Sequence, residues 1–304
     1  MIAIKESAMR LHTVALTALA LILPACAQAG PKPDDAQITP DAHAFRIGTY
    51  QAWSLRDLTN VVPNDNSVIG QGQTPEDVAV VLKAAGQPTD HITLSIDALL
   101  VKAGDHLVLI DTGMGPKAHG VLMQSLAKAG VTPDQVTDVL ITHSHPDHIG
   151  GLLTAEGKPA FPKAVVRLTD AEWASVKANP QQADFVTAIT PQIQTFAGGA
   201  EVLPGITSVI LKGHTPGHTG YEITSGDAKL LDIGDMAHSV VVSLAKPEWP
   251  MGYDADKPAG ETTRRVELTV LAKNGETIFA PHFPFPGTGQ IVAKDDGFAL
   301  KPIE

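Results

Sequence analysis

The chain has 304 residues, of which 43% are hydrophobic and 18% charged, a composition typical of a globular protein that buries a core. The formal net charge of −11 and the lack of any basic run argue against a nucleic-acid partner, because phosphate backbones require clustered lysine and arginine. The single cysteine, Cys26, excludes an internal disulfide, so the stability must come from the core.

The N-terminal residues predict an export signal. Lys5 and Arg10 precede or flank the apolar segment "VALTALALILPAC", and "AQA" at residues 27–29 is a typical cleavage site. The apolar segment is shorter than the roughly 20 residues of a membrane span, so we predict a signal peptide over residues 1–29. Cys26 lies in "LPAC", which is similar to a bacterial lipoprotein box, and a lipid anchor there is the alternative. We therefore expect an exported protein, either periplasmic or secreted, or a lipoprotein held at the membrane.

The first half of the chain alternates strand and helix patterns. Residues 30–44 are rich in proline and aspartate and predict a linker, followed by one domain over residues 45–304. A strand pattern, "FRIGTYQAWSL", comes first, and a polar loop begins at Asn60. The segment "PEDVAVVLKAAG" predicts a helix that ends at Gly86. After it, the sequence predicts a hairpin in "ITLSIDALLVKAGDHLVLIDTG", a helix in "GVLMQSLAKAG" and a buried strand in "VTDVLITH".

The second half repeats this alternation. A strand in "AVVRLTD" and a helix in "DAEWASVKA" precede a β-rich region from Ala200 to Asp235. The segment "AGETTRRVELTVLAKNG" predicts a helix that ends at Gly275, and "ETIFAPH" a further strand. Because the strands cluster in two regions, we predict an α/β fold with two sheets covered by helices on the outside.

Metal-binding residue types follow several of these strands. The loop "ITHSHPDHIGG" contains His143, His145, Asp147 and His148 directly after a predicted strand. Similar positions after strands are held by Asp111 in "LVLIDTG", His214 and His218 in "GHTPGHT", Asp235 and His238 in "LLDIGDMAH", and His282 in "FAPHFPFPG". Strand ends meet at one edge of a sheet, and histidine with aspartate suits zinc, iron or manganese. The set exceeds the needs of one four-coordinate ion and fits two ions that share a carboxylate. The alternative, a chance cluster on a solvated turn, does not explain the series.

The motif "HSHPDH" matches the H-x-H-x-D-H motif of the metallo-β-lactamase superfamily, and the other strand-end residues fall in the order of that superfamily's further motifs. The resemblance implies an αβ/βα four-layer sandwich, two mixed sheets with helices outside, and a dinuclear metal site at the sheet edge. It implies that one metal is held by His143, His145 and His214, the second by Asp147, His148 and His282, and that Asp235 bridges both. Asp111 and His218 would support these ligands without binding metal.

A site of this kind suits hydrolysis. Two adjacent metals lower the pKa of a bridging water and supply hydroxide, which attacks a lactone, ester, amide or phosphoester. Zinc is the expected metal, although the ligand types alone leave iron open. In this superfamily the aspartate at the place of Asp235 is usual in lactonases and phosphoesterases and absent from true β-lactamases, so the resemblance argues against a β-lactamase.

Two C-terminal segments, "GDMAHSVVVSLAKPEWPMGYDAD" and "APHFPFPGTGQI", resemble the exported branch that contains methyl parathion hydrolase and enzymes that hydrolyse lactones and aryl esters. In that branch the first segment lines the substrate pocket, which would place Trp249, Met251 and Tyr253 there; burial in the core is the alternative. His238 takes a position where lactonases often have a tyrosine. It could donate a hydrogen bond to the substrate or a proton to the leaving alkoxide. This departure favours an aromatic lactone or aryl ester over an acyl-homoserine lactone.

The sequence thus predicts an exported dinuclear metallohydrolase that acts on a lactone or aryl ester, with organophosphate triesters as a side activity and with Asp147, Asp235 and His238 in catalysis. The alternatives are an exported β-lactam hydrolase and a metal-binding protein without catalysis. We expect a small-molecule substrate, no nucleic acid and no membrane span. The oligomeric state stays open between a monomer and a homodimer.

Overall fold

The computed structural model describes residues 38–303. The predicted signal peptide, Cys26 and most of the predicted linker lie outside these residues and stay predictions. The first strand begins at Ala42, within the predicted linker of residues 30–44. Its first residues pair with the following strand, where Ala42 lies opposite Leu55. This pairing, rather than the composition of the residues, explains why they form a strand. No helix within residues 38–303 is long and apolar enough to cross a membrane.

One sheet contains the first seven strands in chain order, which are β1 (Ala42–Ile47), β2 (Tyr50–Pro63), β3 (His91–Ala103), β4 (His106–Ile110), β5 (Asp138–Leu140), β6 (Val165–Thr169) and β7 (Ile193–Phe196). The strands from β1 to β4 pair antiparallel, and those from β4 to β7 pair parallel. The polar loop predicted from Asn60 begins later, because β2 continues to Pro63 opposite His91 of β3.

The other sheet also contains seven strands, which are β8 (Glu201–Leu203), β9 (Ile206–Ile210), β10 (Thr219–Ser225), β11 (Ala228–Asp232), β12 (Thr277–Phe279), β13 (Thr288–Lys294) and β14 (Gly297–Pro302). It is mixed as well, because β11 and β12 pair parallel whereas the other neighbours pair antiparallel. Each sheet keeps its strands in sequence order.

The helices are α1 (Pro75–Ala84), α2 (Leu122–Lys128), α3 (Pro146–Ile149), α4 (Asp170–Ala178), α5 (Ala183–Ile189), α6 (Val242–Ala245) and α7 (Lys257–Asn274). The hydrophobic clusters show how they pack. Leu126 of α2 and Trp173 of α4 join Leu100 and Val139 on the outer face of the first sheet. On the outer face of the second sheet, Leu268 of α7 packs in a separate cluster.

A third cluster fills the space between the sheets. It joins Leu99 and Val108 of the first sheet to Tyr221, Ile223 and other residues of the second. The layers are therefore helix, sheet, sheet and helix, which confirms the predicted four-layer α/β sandwich with two mixed sheets. The sequence analysis did not predict α5, α6, β7 or the hairpin of β13 and β14. These elements are short, or their pairing is set by neighbouring strands.

Candidate metal centre and its cavity

The predicted ligands lie in loops that follow four strands, and these loops lie close together. The loop after β5 carries three histidines and Asp147, with His148 in the single turn of α3. The loops after β9, β11 and β12 bring in His214, Asp235 and His282 respectively. The carboxyl ends of these strands meet at the same edge of the sandwich, where ligands bind in α/β folds.

The first ligand group consists of His143, His145 and His214. Nε2 of His214 lies 3.1 Å from Nε2 of His143 and 2.9 Å from Nδ1 of His145, and the latter two atoms are 3.0 Å apart. Three ring nitrogens thus point at one small space. Tetrahedral zinc ligands at about 2.1 Å from the ion are about 3.4 Å from one another. The spacing of the three nitrogens is close to that value.

The second ligand group consists of Asp147, His148 and His282. Oδ2 of Asp147 lies 3.7 Å from Nε2 of His148 and 3.6 Å from Nε2 of His282. His148 and His282 are buried, whereas the Asp147 side chain is 24% exposed. One carboxylate and two imidazoles form a ligand set that suits a divalent metal ion.

Asp235 stands between the two groups with one carboxylate oxygen toward each. Its Oδ2 is 3.2 Å from Nε2 of His214 and 3.5 Å from Nε2 of His143. Its Oδ1 is 3.1 Å from Nε2 of both His148 and His282. Burial alone would raise the pKa of Asp235, but the surrounding histidines, His148 foremost, hold this pKa well below its usual value. The carboxylate is therefore charged, and its position would allow the two ligand groups to share it.

Orphaned polar atoms show that the cluster fits metal ions. Nε2 of His148, Nε2 of His282 and Oδ1 of Asp235 are buried, and none has a hydrogen-bond partner of acceptable geometry among the described residues. Burying such atoms without partners is costly, whereas a cation coordinated by them removes the cost. The geometry brings together three clusters of potential metal ligands among the described residues: the first ligand group with Asp235, the second ligand group, and a third cluster of Asp235, His238 and His282.

Hydrogen bonds at the far ring nitrogens fix the second ligand group. Nδ1 of His148 donates to Oδ2 of Asp111 over 2.7 Å, and the Thr142 hydroxyl donates to the same oxygen. Nδ1 of His282 donates to the backbone carbonyl of Ser95 on β3 over 2.7 Å. With Nδ1 protonated, Nε2 of each ring is left as the metal-binding atom. The structure thus places Asp111 beside a ligand histidine.

His214 of the first ligand group is oriented by two residues that the sequence analysis missed. Its Nδ1 lies 3.1 Å from Oδ1 of Asp254, whose Oδ2 accepts from Nη2 of Arg264 on α7 over 2.9 Å. Arg264 is 1% exposed and shares the buried face of α7 with Gly260, Leu268 and Leu271. An arginine at helical spacing in an otherwise apolar or small-residue face is a sequence signal for a buried ion pair.

His218 lies behind Asp235 and does not join either ligand group. Its Nδ1 donates to the Leu211 carbonyl, and its Nε2 accepts from the backbone N–H of Asp235 over 3.0 Å. Burial lowers the pKa of His218 to about 3, so the ring is neutral and can accept this bond. Gly234 has a φ of 47°, and a Cβ there would press on the His218 ring. The glycine therefore allows the chain to place Asp235 against His218.

A cavity of about 360 Å³ opens beside the cluster. Its polar part comprises His145, Asp147, Asp235, His238 and His282, and its remaining walls are formed by Leu58, Asn60, Leu94, Ile96, Met114, Pro146 and Tyr253. Of the three residues predicted for the pocket, only Tyr253 lines this cavity. Met251 is 3% exposed and packs in the core cluster under α1, with Trp249 partly buried against it, so neither lines this cavity and both positions match the core alternative. Apolar neighbours in this cluster, such as Val78 and Leu82, bury Met251 and cover part of Trp249.

His238 lines the cavity as predicted from its position after Asp235. Its ring stacks on His282 at 5.0 Å between centroids with an interplanar angle of 6°. Its Nε2 is 3.0 Å from Oδ2 of Asp235, yet both ring nitrogens lack a hydrogen-bond partner of acceptable geometry among the described residues. Burial outweighs the attraction of Asp235 and lowers the pKa of His238 to about 4. The ring is thus neutral, next to the ligands, and faces the cavity.

Two solved structures are similar to this chain over nearly its whole described length. AidC, a dizinc quorum-quenching lactonase in complex with a product, N-hexanoyl-L-homoserine, has a TM-score of 0.80 and 28% identity, covering 87% of this chain and 98% of that one. The hydrolase AbOPH of the β-lactamase superfamily has a TM-score of 0.77 and 30% identity, covering 88% of this chain and 99% of its own.

Sequence comparisons agree with the structural ones. A curated relative, metallo-β-lactamase domain-containing protein 1 of Xenopus laevis, is 28% identical over 214 residues, which are 69% of this chain and 81% of the relative. The family model of the metallo-β-lactamase superfamily matches residues 92–299, a segment that contains every residue of both ligand groups and Asp235. The chain therefore belongs to the metallo-β-lactamase superfamily.

Proposed function

We propose that the protein is an exported dinuclear metal-dependent hydrolase that opens lactones or cleaves aryl esters, with organophosphate triesters as a side activity. The observation that carries the proposal is the Asp235 carboxylate, which directs one oxygen toward each ligand group at the base of a largely apolar cavity. AidC, a similar protein, is a dizinc lactonase, and this supports both the metal count and the substrate class.

The residues that would hold the metals are those whose atoms converge. His143, His145 and His214 would hold one ion, Asp147, His148 and His282 the other, and Asp235 both. When bound, two divalent ions supply a Lewis acid for the substrate carbonyl and a nucleophilic hydroxide at neutral pH. We propose zinc, which suits imidazole and carboxylate ligands in this combination.

His238 lines the cavity, and we propose that it contacts the substrate, although it also lies in a cluster with Asp235 and His282 that could hold a metal. Both ring nitrogens are buried without a hydrogen-bond partner of acceptable geometry among the described residues, and Nε2 lies 3.0 Å from Oδ2 of Asp235. The neutral ring can donate a hydrogen bond from its N–H to a substrate oxygen, whereas delivery of a proton to the leaving alkoxide would require the ring to be protonated first. The Tyr253 ring, 5.7 Å from that of His238, closes the same side of the cavity and would pack against the substrate.

The cavity walls favour an uncharged substrate with an apolar substituent. Leu58, Leu94, Ile96 and Met114 provide apolar surface, and no lysine or arginine is found among the described residues that line the cavity. A β-lactam carries a carboxylate, and apart from the proposed metal ions no lysine or arginine among the described lining residues would pair with it, so its burial here would carry a desolvation cost. The walls therefore support a neutral lactone or ester over the β-lactam alternative.

A substrate panel tests the proposal. Purified protein loaded with zinc would be assayed with γ-lactones that carry alkyl or aryl substituents, an acyl-homoserine lactone, p-nitrophenyl esters, a phosphotriester and a chromogenic cephalosporin. We expect turnover of a lactone or aryl ester above that of the cephalosporin, abolished by a chelator and restored by zinc. Tight binding of two metals with no turnover of any substrate would instead indicate a metal-binding protein without catalysis. Preference for the cephalosporin would contradict the proposed substrate class.

A further inference from the structure

A buried glutamate outside both ligand groups connects the two loops that carry the first of them. Glu172 lies in the first turn of α4 and is 1% exposed. Its backbone N–H donates to the hydroxyl of Thr169, which caps the helix. The side chain points away from the helix toward the loops after β5 and β9.

One carboxylate oxygen of Glu172 holds the first loop. Oε1 accepts from the backbone N–H of Ser144 over 2.8 Å and also from the Ser144 hydroxyl. Ser144 lies between His143 and His145, two residues of the first ligand group. The contact therefore helps to hold the backbone between the two histidines, together with the hydrogen bond from Thr142 N–H to Asp111.

The other carboxylate oxygen holds the second loop. Oε2 accepts from the hydroxyl of Thr215 over 2.7 Å and from the backbone N–H of Gly217 over 2.9 Å. Thr215 follows His214 directly. The Thr169 hydroxyl secures the same loop by donating to the Gly217 carbonyl over 2.8 Å. A Cβ at position 217 would overlap the backbone N of Glu172, so the glycine permits this close approach.

Glu172 has no cationic partner within the described part of the chain, where the ion pairs of lysine and arginine involve other acids. Its charge is balanced only by the four donors of the two loops. A buried carboxylate with this set of neutral donors is stable only while both loops stay in place. The contact is therefore sensitive to any movement of one loop relative to the other.

We propose that Glu172 is a positioning residue that sets the distance between the loop of His143 and His145 and the loop of His214, and thereby the affinity of the first ligand group for its metal. The second ligand group is held by other contacts, from Asp111 to His148 and from Ser95 to His282. The inference rests on the proposed metal binding and predicts that loss of Glu172 weakens one metal selectively.

Glu172→Gln is the sharpest perturbation because it keeps the volume of the side chain. The amide has one oxygen and can accept from the backbone N–H of Ser144 or of Gly217, but its NH₂ group must then face the other N–H. One loop is released in either orientation. Asp170→Asn is the matched control, because it removes one negative charge from the same helical turn at an exposed position.

Metal affinity would be measured by competition with a chromogenic chelator for zinc and by titration of metal-free protein with cobalt, followed by absorption. We expect Glu172→Gln to lower the affinity for one of the two metals about 10- to 100-fold and to change the cobalt spectrum, with the other metal unaffected. Asp111→Asn should weaken binding of the metal at the second ligand group, and Asp170→Asn should weaken binding of neither metal. Equal weakening of both metals by Glu172→Gln, or of none, would overturn the inference.

Amide hydrogen exchange of the metal-free protein gives a readout that does not depend on metal binding. Peptides that cover residues 143–149 and 211–221 should exchange faster in Glu172→Gln than in Asp170→Asn, while the core strands keep their protection. Unchanged exchange in both peptides would refute the connection between the loops. If the wild-type protein bound no metal, the proposed function would fail, and the exchange result would still decide whether Glu172 joins the loops.

Discussion

Asp254 stands between a ligand histidine and a buried arginine, and its replacement by asparagine makes a quantitative prediction. The carboxylate contacts Nδ1 of His214 at 3.1 Å and Nη2 of Arg264 at 2.9 Å, and both Asp254 and Arg264 are at most 3% exposed. Asparagine offers one acceptor oxygen in place of two. Either the His214 ring or the Arg264 guanidinium loses its partner, and the arginine charge is left buried without a counter-ion.

The expected cost follows from that geometry. Removing one partner of a buried ion pair destabilises a protein by about 3 to 5 kcal/mol. Arg264 keeps its hydrogen bonds to the carbonyls of Met236, Pro247 and Trp249, so the lower end of the range applies. We therefore expect Asp254→Asn to lower the free energy of unfolding by about 3 kcal/mol at pH 7.

Urea unfolding of the metal-free protein, followed by tryptophan fluorescence, measures this change without a contribution from metal binding. Asp256→Asn is the control, because Asp256 is exposed and caps α7 through Ala259 N–H, a role that asparagine fills equally well. Its unfolding free energy should stay within about 0.5 kcal/mol of the wild type. Equal effects of the two substitutions would refute the argument that Asp254 neutralises Arg264.

Further predictions address the ligands, catalysis, a buried acid and export. Asp235→Ala should remove at least one metal, measured by elemental analysis, and nearly all activity; retention of two tightly bound metals would exclude a shared carboxylate. His238→Ala should lower kcat most for esters with poor leaving groups if it delivers a proton, and metal content should not change; an equal loss across leaving groups would favour hydrogen bonding to the substrate or packing. Asp97 is 2% exposed, its carboxylate has no hydrogen-bond partner among residues 38–303, and burial raises its pKa to about 8. Because the pKa of Asp97 is higher in the folded than in the unfolded protein, the free energy of unfolding of the wild type should fall as pH rises from about 4 to about 8. The Asp97→Asn variant should lack this fall and should be more stable than the wild type at pH 9 by about 2 kcal/mol or more. Parallel curves of unfolding free energy against pH for the two proteins would contradict the burial argument. Intact mass of protein from its native host should show cleavage after Ala29, or a lipid-bearing Cys26 as the first residue, and an uncleaved chain would contradict both.

Local patterns were sufficient for most elements near the site. The helix α1 was predictable from Thr74 and Asp77, which form a capping box, and from Gly86 after its end. The hairpin of β3 and β4 was predictable from Ala103-Gly104-Asp105 between two apolar runs. A short strand such as β7 carries too few residues for a pattern, and its place in the sheet depends on the neighbouring strand β6.

The sequence by itself determined which residues can bind metal, because the residue type and the position after a strand are local properties. It also indicated that the ligands collect at one edge, since the four loops that carry them follow apolar strands. Only the tertiary structure decided which oxygen of Asp235 faces which group and that Trp249 and Met251 pack in the core whereas Tyr253 reaches the cavity. It alone brought Glu172, Asp254 and Arg264 to the ligands from α4 and α7. The physical reason is that a buried polar group is specified by its partners, and partners distant in sequence meet only when the sheets and helices pack.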